Sequence, residues 1–423
     1  MADANISVLS GRTGDVRAVS TLLNESAALA SRRGAAYARF EAARPPSRVE
    51  HLWRFTNPEN LLPATLRPAG IEAPLEAMVG SAATVVLSPG LPARIEISDE
   101  AAAAGLVVCS LADGPDGADR LGEAAGDDGY FTTLNDSAWN TGLLIRAPRH
   151  MVLSGPVHVV VHASGGVAAP RLLLIAEEGA DISLVEDHRG GNEDTRVVGV
   201  TEILAGANAH VRHVVVQTWG EGVHGHLGVH AKIDRDANLK TAFCGLGSRR
   251  AKLELVTNLA GEGSRSEMTG VTLAADRQHI DVHTRHVHTA GRTTSDIDFK
   301  SVAAGHAHNS YTGLIRIEKE AREVEAYQEN RNLLLSDQCR ADSIPELEIL
   351  NQDVSCSHGA TVAPIDENQV FYLESRGIPR RLARRLIVRG FLEKTLVRLP
   401  EALRVQVEET VDRRLDDLEG EAK

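Results

Sequence analysis

The chain has 423 residues, a formal net charge of −13, 24 % charged and 43 % hydrophobic residues. That balance excludes wholesale disorder, and the acidic excess excludes a nonspecific nucleic-acid binder, which needs cationic surface to release counterions. No run approaches the ~20 apolar residues of a membrane span, and the opening residues lack the apolar stretch of a secretory signal. The expectation is a cytoplasmic protein with neither nucleic acid nor membrane as partner. Cys109, Cys244, Cys339 and Cys356 are far apart and form no C-x-x-C, which argues against a disulfide framework or a closed zinc site. Aromatic residues are only 4 %, so small and β-branched side chains must do much of the packing.

Taken in chain order, residues 15–44 read as helical, with Val19, Leu22, Leu23, Ala27 and Leu29 at mixed spacings of three and four. Gly34 predicts a break in that run, and Pro45-Pro46 ends it. The cluster from Val49 to Thr56 follows, with Trp53 and Phe55 predicted to anchor the segment on a neighbouring domain; a ligand-facing aromatic pair is the alternative. From about residue 78 short apolar runs alternate with Gly, Asp and Asn turns: 83–87, 142–146, 157–162, 171–176, 197–204 and 213–217. These are strand-length and β-branched. Few stretches between 140 and 320 have helical periodicity, which disfavours a doubly wound α/β fold.

The turns repeat. Gly179-Ala180-Asp181 is echoed by Gly206-Ala207-Asn208, by Asp236-Ala237-Asn238, by Gly261-Glu262-Gly263 and by Asp276-Arg277-Gln278. Steps of roughly 27–30 residues mark a solenoid, and units unable to bury their apolar face alone stack into a parallel β-helix, with a propeller or a sandwich as the alternative. The last stretch turns helical again: Asp366 is a predicted N-cap, and Pro379 sits near the start of a new helix. That helix carries Arg380, Arg381, Arg384, Arg385 and Arg389, with Leu382, Leu386, Ile387, Phe391 and Leu392 on its predicted apolar side. Pro400 punctuates it, and an acidic helix over 401–419 follows. The fold class expected is mainly β, a right-handed parallel β-helix core flanked by N- and C-terminal α-helical domains. The boundaries are 1–77, 78–362 and 363–423.

The chain has no phosphate-cradling G-x-x-x-x-G-K-[ST] loop, no G-x-G-x-x-G and no G-x-S-x-G. Histidines cluster at 224, 226 and 230, at 279, 283, 286 and 288, and at 306 and 308. They are read as solvated or turn-bonded side chains on a β surface, with a metal site as the alternative. The Arg-rich helix reads as a protein-docking helix or a solvated face. Cys356 and His358 stand two apart. On an extended strand they point the same way, as a soft thiolate and an imidazole suited to iron or zinc. Two ligands do not close a site, so a partner chain would supply the rest.

Around that pair the sequence resembles the SufB/SufD family of iron–sulfur cluster assembly proteins, on its SufD side. The resemblance rests on NLLLS at 332–336, PELEI at 345–349, DV at 353–354 with CSHGAT at 356–361, FYL at 371–373 and SRGI at 375–378. YTGLI at 311–315 and WRFT at 53–56 add to it. It implies a non-ATPase scaffold subunit, not an enzyme, that pairs with a SufB-like paralogue through the β-helices. It also implies binding of a SufC-type ABC ATPase through the C-terminal helical region, at Phe371, Tyr372, Arg376, Gly377 and Ile378. His358 and Cys356 match the positions where iron or a nascent cluster is held transiently and shared with the SufB partner, with nothing tightly bound by this chain alone. SufB has His-Glu-Ala where this chain has His358-Gly359-Ala360, and a cluster-related Cys near Asn330. Cys339 departs from the pattern and reads as a core thiol. The alternatives are a self-paired homodimeric scaffold, a stand-alone metal-binding β-helix protein or metal-dependent oxygenase, and a β-helix enzyme acting on polysaccharide.

Overall fold

A computed structural model describes residues 13–66, 68, 78–126, 129–163, 165–397 and 401–420. The boundary expected at residue 77, and Pro400, lie outside them. Two ten-stranded sheets dominate, and from Asp181–Gly190 onward successive strands alternate between them. One turn of the chain therefore lays down one strand in each sheet, in register and parallel to the strand a turn earlier. The result is a parallel β-solenoid of about eight turns with helices at both termini, as the turn period implies.

The repeated turns hold the solenoid in step. Gly179, Asn208, Asp236, Gly263, Arg292 and Glu323 all adopt positive φ, between 54° and 75°, at intervals of 27–31 residues. Glycine, Asn and Asp tolerate that region best. Each donates its backbone N–H to a carbonyl of the next turn's corner, as in Gly179 to Ala207 and Asn208 to Arg235, both at 2.9 Å. Asp276, expected to continue this series, lies on the opposite corner, between strands Arg265–Ala274 and His279–His288. Asp276 and Gly305 make left-handed turns there too, so the similarity is of turn chemistry and not of position.

Alternation along each strand sends one set of side chains into the lumen and the other outward. The lumen is mostly apolar, filled by residues such as Leu184, Val211, Leu239, Phe243, Leu253 and Phe299. The outer faces are covered by the two terminal regions. Helix Arg380–Leu396 lies on the sheet containing Val271, Leu273 and Val302. The N-terminal segment lies on the other sheet, where Trp53 stacks on Phe131 at 5.1 Å and near His226 at 6.2 Å. Trp53 and Phe55 are thus anchors: Phe55 meets His308 edge-on at 5.7 Å.

Three local expectations are corrected. The helical run breaks at Asn24, with φ 51°, between helices Thr13–Leu22 and Ala27–Ala42, and not at Gly34. Ser26 caps the second helix through Leu29 N, a stronger start signal than one interior glycine is a stop. On helix Arg380–Leu396 the buried stripe is Ala383, Val388, Leu392 and Leu396, while Leu382 and Leu386 are 44 % and 42 % exposed. The small side chain of Ala383 faces the sheet, which rotates the stripe by one residue. Asp366 does cap its helix, accepting from Asn368 N at 2.9 Å.

The third correction concerns the histidines. His226, His230, His283, His286 and His288 are buried, not solvated. His286 and His288 point into the lumen, where they meet Ser266 Oγ at 3.1 Å and Ser295 Oγ at 2.9 Å. Burial pushes their pKa values down, to about 3 and about 4. No group of three or more His, Cys, Asp or Glu side chains among the described residues is placed to hold a metal ion.

Candidate functional site: the open end of the solenoid

The two ends of the solenoid differ. At the first, the four-residue strands Arg94–Ile97 and Val107–Ser110 are the terminal strands and pair antiparallel with the outermost parallel ones. At the other, Arg340–Ile349 and Val354–Pro364 are the terminal strands of their sheets, each paired on one side only. An edge of that length presents a row of unpaired backbone donors and acceptors, a ready template for another chain. Pro345 and the charged Arg340, Glu346 and Glu348 blunt one edge. Val354–Pro364 has no proline before its last residue and no charged side chain.

Cys356 and His358 lie on that strand. Cys356 pairs in register with Ala326, and His358 with Gln328. Ala326 and Gln328 are lumen-facing and buried, so Cys356 and His358 share the lumen side, as the two-residue spacing requires. Cys356 is half-buried against the apolar core, and burial pushes its thiol pKa up. His358 is exposed because no further turn covers it. Several polar atoms nearby are buried without partners among the described residues: Gln328 Oε1, Asn332 Oδ1 and Ser343 Oγ. A buried acceptor without a donor costs about 1–3 kcal/mol, and these three atoms place such a cost in the last turns. Asn330 is buried here, donating to Phe299 O at 3.2 Å, and offers an amide, not a thiolate. Cys339 is buried at the last corner, its Sγ 3.2 Å from Ala303 O and 3.1 Å from Ser336 O.

The second set of predicted residues sits apart, on helix Glu367–Ser375 and the turn after it. Phe371 and Tyr372 are 70 % and 57 % exposed, large aromatics with little intramolecular cover. Arg376 lies over the Tyr372 ring at 5.3 Å. Gly377 takes φ 84° at the helix end, where glycine avoids the Cβ clash. Ile378 faces inward against the C-terminal apolar cluster. Gly377 and Ile378 therefore shape the turn, while Phe371 and Tyr372 form its outward surface.

Two buried polar clusters were not foreseen from sequence. In the lumen, Glu186 is met by His213 Nε2 at 2.7 Å, His188 Nε2 at 3.0 Å and Thr201 Oγ1 at 2.9 Å. Burial opposes its charge, but the hydrogen bonds from His188 and His213 outweigh burial and lower its pKa to about 2. On the outer face, Lys252 Nζ donates to Leu52 O at 2.6 Å and Asp281 Oδ2 at 3.1 Å and lies 4.5 Å from the Trp53 ring centre. Thr56 donates to the same Asp281 oxygen at 2.6 Å. The E-x-H spacing of Glu186 and His188 was the one available signal for the first cluster. Nothing local marks the second, in which Leu52 and Thr56 lie 200 and 225 residues from Lys252 and Asp281.

The class of protein is thus a two-sheet parallel β-solenoid flanked by helices, with a Cys-x-His pair on one terminal strand. Residues 159–391, more than half of the chain, match the family described as "SUF system FeS cluster assembly, SufBD core domain". The chain belongs to that SufB/SufD family. Among its relatives are iron–sulfur cluster assembly SufBD family proteins of Staphylococcus epidermidis, Staphylococcus saprophyticus and Staphylococcus haemolyticus, each 28 % identical over 284 residues. The aligned region covers 66 % of this chain and 61 % of each relative, so the chain spans less than two thirds of the relatives' length. No helix among the described residues is long and apolar enough to cross a membrane.

Proposed function

We propose that this chain is the SufD-like, non-ATPase scaffold subunit of an iron–sulfur assembly complex. It pairs across its open end with a SufB-like paralogue, and iron and sulfide are its cargo. The observation that carries the reading is the free edge Val354–Pro364, with Cys356 and His358 on the lumen side above the unpartnered carbonyl of Gln328. A second solenoid docked there would satisfy the edge, and would turn two insufficient ligands into part of a shared site. The imidazole must be neutral and the thiol deprotonated to hold iron, so a raised Cys356 pKa favours transient over resident binding. The exposed pair Phe371 and Tyr372, fixed by Arg376, Gly377 and Ile378, is the docking surface for a SufC-type ATPase, which supplies ATP hydrolysis.

The test is co-expression with the paralogue and ATPase of the same cell, read by size-exclusion chromatography and by cluster content after anaerobic reconstitution. The wild-type chain is expected in a complex with both. Ala360→Lys, which places a charge at the exposed lumen mouth, should leave the isolated chain folded and abolish pairing with the paralogue. Association only with a second copy of itself would identify a self-paired scaffold instead. Full cluster formation by the Cys356→Ser, His358→Ala double variant would overturn the site assignment.

A further inference from the structure

A groove of about 900 Å³ runs between three stacked solenoid corners and helix Arg380–Leu396. Its floor is apolar, made by Ala304, Leu335, Val388 and Leu415. Its walls carry Arg277 and His306 from the corners and Arg380, Arg381, Arg384 and Arg385 from the helix, while Asp276 is the only carboxylate on the lining among the described residues. In a chain of net charge −13, this is a local concentration of cation. Much of it is used internally: Arg380 pairs with Glu367 and Glu374, Arg384 with Glu367 at 3.6 Å and Arg385 with Asp412, and Arg381 is engaged as well. Arg384 donates to Leu335 O at 2.7 Å. A guanidinium has five N–H donors, so these ties fix the fork and leave donors over. Arg277 and His306 make no side-chain hydrogen bond or ion pair among the described residues, and both are exposed.

We infer that this groove binds an organic phosphate of about nucleotide size, its apolar or aromatic body on the floor and its phosphate on the Arg277–Arg381–Arg384 wall. Three features select that class. The volume falls in the range of small-molecule sites, ~300–1,000 Å³. An apolar floor rewards a body that inorganic phosphate lacks. Arginine forks match phosphate oxygens in geometry as well as charge. The site is not the Cys356–His358 mouth, nor the Phe371–Tyr372 surface, and does not depend on either.

The experiment is isothermal titration of the isolated full chain with ADP, with AMP and with inorganic phosphate. ADP is expected to saturate a single site below ~1 mM, a level that a few charge-assisted contacts sustain. Inorganic phosphate should bind at least tenfold more weakly. Arg277→Glu combined with Arg381→Glu should weaken ADP at least tenfold. Both positions are exposed, and an unchanged melting temperature would establish that the variant folds. Arg120→Ala, in a separate charged groove, should change nothing. Absence of saturation by ADP at 10-fold higher concentration, equal binding of inorganic phosphate, or full affinity in the double variant would each overturn the inference. None of these results bears on pairing or cluster formation, so the two readings fail separately.

Discussion

Gln328 lies next to His358 in the parallel register, and its side-chain carbonyl, fully buried, has no hydrogen-bond partner among the described residues. Every earlier turn of the solenoid is covered by the next. His358 belongs to the turn that is not, so the same strand that ends the fold leaves it chemically open.

His358→Ala and Cys356→Ser should separate assembly from function. Both side chains sit on the terminal strand, one exposed and one half-buried, so the folded chain should lose less than ~2 kcal/mol, the range of a partly exposed substitution. Cluster formation in the reconstituted complex should fall by an order of magnitude or more. The check is iron and sulfide content beside a chemical denaturation midpoint.

Phe371→Ala with Tyr372→Ala should abolish ATPase docking without unfolding. Aromatic anchors dominate interface energetics, at about 2 kcal/mol or more each, while these two contribute little to the core at their exposure of 70 % and 57 %. Affinity for the ATPase, measured by titration, should fall at least 100-fold; retention of full affinity would place the docking surface elsewhere.

Lys252→Met should be among the most damaging outer-face substitutions. It leaves Asp281 buried and stripped of its closest cation, a change worth about 3–5 kcal/mol. It also frees Leu52 O and the Trp53 stack, so trypsin should cut near Arg48 or Arg54 sooner. The Lys252→Met, Asp281→Leu double variant should recover part of the loss, since it removes both buried charges.

Acid should weaken the fold in a defined window. His286 and His288 titrate at 6.5 when unfolded, and burial lowers them to about 3 and about 4 in the folded chain. Between those limits the unfolded chain binds more protons, so stability is full above pH 6.5 and falls as pH drops toward 4. One histidine moved from 6.5 to about 4 accounts for ~3 kcal/mol of that difference. Glu186, lowered from 4.5 to about 2, extends the loss below pH 4.5, because its folded-state charge must then be neutralised. Thermal midpoints from pH 7 to 4 should decline, and His286→Asn should flatten the upper part of the curve.

Much of this molecule is local and was legible in the chain. The strands Ala83–Leu87 and Val157–Ala163, the Asp366 cap and the 27–31-residue turn period follow from side-chain alternation and from residues that tolerate positive φ. The shared face of Cys356 and His358 follows from the two-residue period of any strand. What the tertiary structure alone decided is what covers what. Whether His286 is solvated, whether Leu382 or Ala383 faces the sheet, and which corner Asp276 joins all depend on segments packed over them from elsewhere in the chain. The same holds for Lys252, made a buried cation by Leu52 and Trp53, and for His358, left open because no turn follows. Alternation in a strand identifies two faces, but burial is assigned by the neighbour, and a sequence read along its length does not contain its neighbours.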